Sequence, residues 1–193
     1  MIESATTPRA ARTAHAIHHS ALALTDEHGF DGWTMEQLAE AVGVSRRTLF
    51  NHVASKMAAI LGPEKQPDPD HIATFVAGGP TGQLVADLRA LALTMLEDRP
   101  ADRAELARVR RVLRSDPRVM HAAHARFEEG TARFAEVIRQ REGAAFPMAR
   151  AQLAVRVMVV VFEMALDDYL DHPHGSLADA FTRTFDALVD LLR

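Results

Sequence analysis

The stretch Thr34-Met-Glu-Gln-Leu-Ala-Glu-Ala-Val-Gly-Val-Ser-Arg-Arg-Thr-Leu-Phe-Asn-His52 specifies two short helices and the turn between them. Thr34 with Gln37 makes a capping box, and Trp33 and Leu38 occupy the two positions of a hydrophobic staple, so a helix is expected over Met35–Val42. Gly43 can adopt the left-handed backbone that a sharp exit needs, and the small Ala39 lets a second helix cross close by. Ser45 caps that second helix, about Arg46–Asn51, with Val44 and Leu49 as its own staple. Both ends of the pair are specified, which is the pattern of a helix-turn-helix.

The charges on this segment point to a partner. Arg46 and Arg47 lie in the first turn of the second helix, and Lys56 lies in the first turn of the next. Cations there oppose the helix macrodipole, at a cost of roughly 0.3–1 kcal/mol each. The free N–H groups at a helix start attract an anion as well. Positive side chains beside positive helix ends are reasonable if a phosphate comes between them. The net charge of −4 is no obstacle, because only the face that touches phosphate needs positive potential. From Ser45 to Lys56 the segment holds Arg46, Arg47, Lys56 and His52 and no acid.

Outward from this segment almost every periodic stretch reads as helix, and strand-like alternation is missing. A first helix is expected over Pro8–His28, with Ile17, Ala21 and Leu24 on one face and Gly29 as its stop. A fourth begins near Lys56. Residues Gly62 to Pro80 are rich in proline and glycine and mark a boundary, with only a short helix or an irregular stretch around His71–Val76. Longer helices follow at about Gly82–Asp98, Ala101–Arg114, Pro117–Arg141, Pro147–Leu170 and Leu177–Leu192. Thr81, Asp116-Pro117 and Ser176 with Asp179 are their start signals. The expected fold is all-α, with a helix-turn-helix domain over 1–62 and a larger helical domain over 63–193.

Composition narrows the function classes. With 48% hydrophobic and 25% charged residues the chain is ordinary globular chemistry. It contains no cysteine, which removes disulfides, thiolate metal sites and cysteine nucleophiles together. Met1 to Ala16 lacks the apolar core of a signal peptide, and the longest unbroken apolar run, Val157 to Phe162, is too short to cross a bilayer; a cytoplasmic protein is expected. No Ser-His-Asp order, glycine-rich phosphate loop or recognisable carboxylate pair suggests an enzyme, and no cofactor is expected. His121, His124 and Glu128 share a helical face, and His15, His18 and His19 cluster, but no tight H-E-x-x-H spacing exists, so no metal site is assigned.

In the larger domain, Leu177, Phe181, Phe185, Leu188 and Leu192 form a stripe, and Val155–Leu166 is apolar on nearly all sides. Such a helix must be covered all round, so the last two helices are expected to form a four-helix homodimer interface that includes Phe181, Phe185 and Leu188. Met95, Phe127, Phe134, Met158, Phe162 and Met164 are candidates for lining an apolar ligand pocket, the alternative being plain core packing. Arg103, Arg108, Arg110, Arg111, Arg114 and Arg118 read as a solvated basic face, or as a greeting for an acidic ligand.

Residues Ile17 to Ile60 resemble the DNA-binding domain of the tetracycline-repressor (TetR) family. The resemblance is carried by Ile17, Ala21, Leu22, Gly29-Phe30, Thr34, Leu38-Ala39, Gly43-Val44-Ser45, Thr48-Leu49-Phe50, His52 and Ser55-Lys56. It implies a fold of about nine helices, in agreement with the starts and stops read above, and a second paired helix that enters the major groove of DNA. Arg46, Arg47 and Asn51 then resemble base-reading positions, since Arg bonds guanine and Asn bonds adenine bidentately. Thr48 resembles a contact to a thymine methyl or a phosphate, and His52, Lys56 and Thr34 resemble phosphate contacts. Phe50 stands where the family often has tyrosine, so a hydroxyl-to-phosphate bond is lost while ring packing remains. Glu36 lies on a face where some members carry a cation. The function implied is a homodimeric transcriptional regulator, a repressor released from a palindromic DNA operator by a small hydrophobic ligand. The alternative is a helical interaction module without ligand control.

Overall fold

Capping chemistry sets the element boundaries. In the computed structural model, which describes residues 8–64, 67–97, 102–172 and 174–193, ten helices and no strand occur among the described residues. They are α1 (Pro8–His28), α2 (Met35–Val42), α3 (Arg46–His52), α4 (Lys56–Leu61), α5 (Pro69–Val76), α6 (Leu84–Glu97), α7 (Arg103–Ser115), α8 (Pro117–Glu142), α9 (Met148–Asp171) and α10 (Leu177–Leu191). The stretch around His71–Val76 is a two-turn helix, α5, opened by Pro69 behind the Asp68 carboxylate. Ser176 and Asp179 form the expected capping box of α10. Thr81 stands short of α6: its hydroxyl accepts from Gln83 N at 3.2 Å and its own protons go to Asp87. No helix among the described residues is long and apolar enough to cross a membrane.

The chain divides into two compact units. The first comprises the described residues within Met1–Lys65 and Ala104–Ala125. Its core is Ile17, Ala21, Leu22, Trp33, Leu38, Ala39, Leu49, Ala59 and Ile60, closed by Val112 of α7 and Val119 of α8. Burying each large aliphatic side chain here contributes roughly 1.5–3 kcal/mol. The indole N–H of buried Trp33 donates to Thr25 Oγ1 at 3.0 Å, and that hydroxyl donates to Ala21 O at 2.7 Å, so the core carries no unsatisfied indole. Gly62 leaves α4 at φ 67°, and a Cβ there would stand 2.6 Å from the His18 ring, whose Nδ1 is 3.2 Å from Ala59 O. Glycine is required at that position on both counts.

Of the arginines of α7 and early α8, expected as a solvated face, Arg108, Arg111 and Arg118 are held by carboxylates of this unit. Arg111 makes a two-pronged bond to Asp26 of α1 (3.0 and 2.6 Å), and Arg108 reaches the same carboxylate at 3.7 Å. Arg118 bonds Asp31 and Asp116, each at 2.7 Å, and lies over the Phe30 ring. The Arg111 guanidinium holds the Asp26 carboxyl below its usual range, and Arg118 does the same for Asp31 and Asp116.

The second unit comprises the described residues within Gln66–Arg103 and Arg126–Arg193. One cluster joins Phe75, Leu88, Leu91, Ala135, Ile138, Ala151 and Val155; another joins Val161, Ala165, Ala180, Phe181 and Phe185. Asp87 is fully buried, and Arg141 nearly so; the two meet at 2.5 Å. Arg141 also donates to Phe75 O, Gly79 O and Gly78 O (2.8, 3.2 and 3.3 Å), so one guanidinium ties α8 to α6 and to the end of α5. Burial pushes the Asp87 carboxyl up, but the Thr81 bonds and Arg141 outweigh it and hold it below the usual range.

Two expectations for this unit are corrected in placement. Phe181 and Phe185 are 1% and 4% exposed within a single chain, because α6 and α9 cover the α10 stripe; they are core residues and present no surface to another subunit. Leu188 is half-buried at the edge of the same cluster. The pocket candidates scatter: Phe134 packs in the first cluster, Met158 in both and Phe162 in the second, while Phe127 is half-buried and Met95 is 38% exposed.

Candidate nucleic-acid interface

The paired helices are built as their end signals require. Thr34 N donates to Gln37 Oε1 at 2.7 Å and Gln37 N donates back to Thr34 Oγ1 at 3.2 Å. Gly43 takes φ 73°, and the N–H groups of Gly43 and Val44 satisfy the last carbonyls of α2, at Glu40 and Ala39. Ser45 Oγ then accepts from Thr48 N at 3.0 Å to open α3. Leu49, fully buried, is the anchor that fixes the rotation of α3 about its axis.

That rotation decides what α3 shows to solvent. At about 100° per residue, Arg46, Phe50, Arg47 and Asn51 fall in turn along an arc of about 140°. All four are exposed, while Thr48 and His52, on the flank toward the core, are half-buried. The Thr48 hydroxyl lies 2.8 Å from Ser45 Oγ and is engaged in the cap. Phe50 keeps 42% of its surface open with the Arg46 guanidinium 5.5 Å from its ring centre. Arg46 also pairs with Glu36 of α2 at 3.2 Å, both side chains being more than half exposed. Arg47 has no ion pair among the described residues. Thr34 is exposed at the start of α2.

Lys56 differs from expectation. Its ammonium is turned inward, donating to Phe30 O at 2.7 Å and to Trp33 O, with the Trp33 ring 4.4 Å away. It staples the α1–α2 turn to α4, and two of its three protons are committed there. The sequence signal missed was the pair of aromatics at Phe30 and Trp33, which offer carbonyls and ring faces to a cation. Glu128, one of the residues weighed for metal, pairs with Arg156 at 2.7 Å, and no metal-holding group of three or more His, Cys, Asp or Glu side chains occurs among the described residues.

Comparison with known proteins agrees with this geometry. Residues 17–58 match the family described as bacterial regulatory proteins, tetR family. No curated protein matches the chain. Among solved structures, native NalD, the secondary repressor of the MexAB-OprM multidrug efflux pump in Pseudomonas aeruginosa, shares 20% identity over 93% of this chain and 96% of its own, with a TM-score of 0.56. A second NalD structure gives 18% identity over 93% and 94%, with a TM-score of 0.54. A structure described as a TetR-family transcriptional regulator from Mesorhizobium loti gives 17% identity over 95% and 98%, with a TM-score of 0.51. These likenesses establish a common fold along nearly the whole length, and the residue-level match lies in the helix-turn-helix. That motif makes residues 17–58 similar to the tetR family of bacterial regulatory proteins, on an all-helical fold that the chain shares with these solved structures.

Proposed function

We propose that this protein is a homodimeric transcriptional repressor that binds a palindromic operator and leaves it when a small, mainly apolar ligand occupies the second unit. Residues 1–62 carry DNA binding in this reading, and residues 63–193 carry ligand binding and dimerisation. The observation that supports it most is the exposed arc of α3, where Arg46, Arg47, Phe50 and Asn51 project around a rotation fixed by buried Leu49. Arg46 and Arg47 offer planar donors to guanine or phosphate, Asn51 suits adenine, and the Phe50 ring suits a thymine methyl or a sugar. His52 on the flank of α3 and the Thr34 hydroxyl at the start of α2 supply phosphate contacts in this reading, and Thr48, its hydroxyl engaged in the cap, offers its methyl to a thymine. The Lys56 ammonium acts beneath them, holding α4 and the α1–α2 turn in place.

Dimerisation is assigned to the outer face of α9. Leu153, Val160 and Met164 are 61%, 53% and 60% exposed and fall in line with Val157, and Leu191 and Leu192 are open at the end of α10. An apolar row of this kind calls for a cover, and two-fold pairing would present two copies of α3 to half-sites about one helical turn apart. The repressor role is that of NalD, carried over from the common fold. Ligand control requires that the ligand bind more tightly to a conformation whose two recognition helices no longer fit the operator; equal affinity for both conformations would shift nothing.

Selection of bound duplexes from a random pool tests the reading. A palindromic consensus is expected, with two half-sites and a complex of two chains per duplex. Recovery of no sequence preference, or unchanged affinity after joint replacement of Arg46 and Arg47 by alanine, would leave the chain as a helical interaction module on a DNA-binding fold.

A further inference from the structure

The second unit contains a cavity of about 200 Å³ under α5, the segment after it, and α6. Phe75, Asp87 and Leu91 are its buried floor, Ala90 and Thr94 a wall, and Thr74 and Pro80 stand exposed at its rim. None of the residues singled out from the sequence for a pocket lines it.

Size and chemistry together restrict the guest. The cavity exceeds the ~150 Å³ apolar hole that accepts benzene, yet falls short of the roughly 300–1,000 Å³ of drug-sized pockets. A single six-membered ring with one or two small substituents fills it. The two lining hydroxyls are committed in one direction, and His71, half-buried, adds one imidazole to the lining. Thr74 Oγ1 donates to Asp70 O at 2.9 Å and Thr94 Oγ1 donates to Leu91 O at 2.8 Å, so each hydroxyl retains lone pairs for a guest and no proton. Asp87 accepts from Thr81 N, Thr81 Oγ1 and Arg141 (2.7, 2.6 and 2.5 Å), which balances its charge from behind. A carboxylate guest would face the lone pairs of Thr74 and Thr94 and the Asp87 carboxylate after losing its water, with the His71 ring as the one lining side chain able to donate to it. An ammonium guest would face an already neutralised carboxylate and a wall of Phe75, Ala90, Leu91 and Pro80.

We propose that this cavity is the effector site and takes a neutral, single-ring compound bearing one hydroxyl, a phenol in its simplest form. The ring fills the space between Phe75, Ala90 and Leu91, and the hydroxyl donates to Thr94 or Thr74. This rests on the reading of the protein as a ligand-controlled regulator, and it narrows the small apolar ligand to a single ring that carries one hydroxyl.

The test is titration of the full chain, with no DNA present, against phenol, toluene and benzoate by calorimetry. Phenol is expected to bind roughly tenfold more tightly than toluene, the difference of one hydrogen bond, and benzoate to give no binding heat. Joint replacement T74V/T94V keeps the shape and removes both acceptors, and is expected to bring phenol to within about twofold of toluene while toluene is unchanged. A90F fills the space and is expected to abolish binding of both. Should A90F lose its thermal transition, the double valine variant carries the test alone. The proposal is overturned by undiminished phenol binding to a folded A90F, by an unchanged phenol-to-toluene ratio in T74V/T94V, by benzoate binding as tightly as phenol, or by no binding of any of the three up to their solubility. Because DNA is absent, these failures stand apart from failure of the regulator reading, which the duplex selection alone decides.

Discussion

Arginines meet two different fates in this chain. On α3, Arg47 projects to solvent and Arg46 has only surface contacts, with Glu36 and the Phe50 ring. On α7 and α8, Arg111 and Arg118 are clasped by carboxylates of α1 and of the turn after it, and Arg141 is buried against Asp87 and three backbone carbonyls. The side chain is the same; its surroundings assign the work. Positive charge already answered within the fold holds elements together, whereas positive charge left open beside a helix start waits for an anion from outside.

The sharpest way to break this comparison is to remove Arg141. R141M leaves the Asp87 carboxylate and the carbonyls of Phe75, Gly78 and Gly79 without their shared donor in the interior. Removing one member of a buried pair is far costlier than replacing both. Thermal melting followed by circular dichroism is expected to fall by on the order of 10 °C. A fall of only a degree or two would mean that water readily takes the place of the guanidinium, and Arg141 would not be the tie described.

The converse holds on α3. R46A/R47A is expected to lower affinity for the selected duplex by about 100-fold, from two lost charged contacts per subunit. The slope of log affinity against log salt should become shallower by about one to two per subunit. Stability should stay within about 0.5 kcal/mol of the parent, as for exposed positions whose surface pairings contribute little. Loss of both stability and affinity would move these arginines into the structural class.

This division explains what could be read in advance. Thr34 with Gln37, Gly43, Ser45, and Ser176 with Asp179 act over three residues or on a single backbone, so residue type and spacing suffice to place α2, α3 and α10. Arg111 finds Asp26 across 85 positions and Arg118 finds Asp31 across 87, and no local pattern encodes such meetings. Lys56 stood at a helix start like Arg46 and Arg47, yet the nearness of Phe30 and Trp33 turns it inward. Periodicity at Phe181 and Phe185 marked a face that needs cover; it was silent on whether this chain or another supplies it. The effector cavity was illegible for the same reason, since its lining is drawn from α5, the following segment and α6.

Acid sharpens the structural side. Asp26, Asp31 and Asp116 have carboxyls lowered by Arg111 and Arg118, from an ordinary value of 3.8. Groups with lowered values contribute their stability above the unfolded value and lose it as pH falls toward the folded one. Trp33, the single tryptophan of the chain and buried in the first unit, reports on it by fluorescence. R118A is expected to be less stable than the parent at pH 7, with the gap closing below pH 3.8, where Asp31 and Asp116 take up protons in the parent. A gap that persists unchanged at pH 3 would mean that Arg118 acts through its packing on Phe30 rather than through charge.

The smallest expected effect tests the border between the two classes, at Glu36. Its pairing with Arg46 spans 3.2 Å between exposed groups, where such pairs contribute little and salt screens them. A phosphate would compete for Arg46 on favourable terms, and the Glu36 carboxylate would meanwhile repel the backbone. E36Q is therefore expected to tighten DNA binding by about two- to fivefold at low salt, with the gain shrinking as salt rises. Measurement of duplex affinity across a salt series decides the matter. Weaker binding by E36Q would show that the carboxylate orients the Arg46 fork toward a base. Arg46 would then belong to both classes at once, answered within the fold and still turned outward.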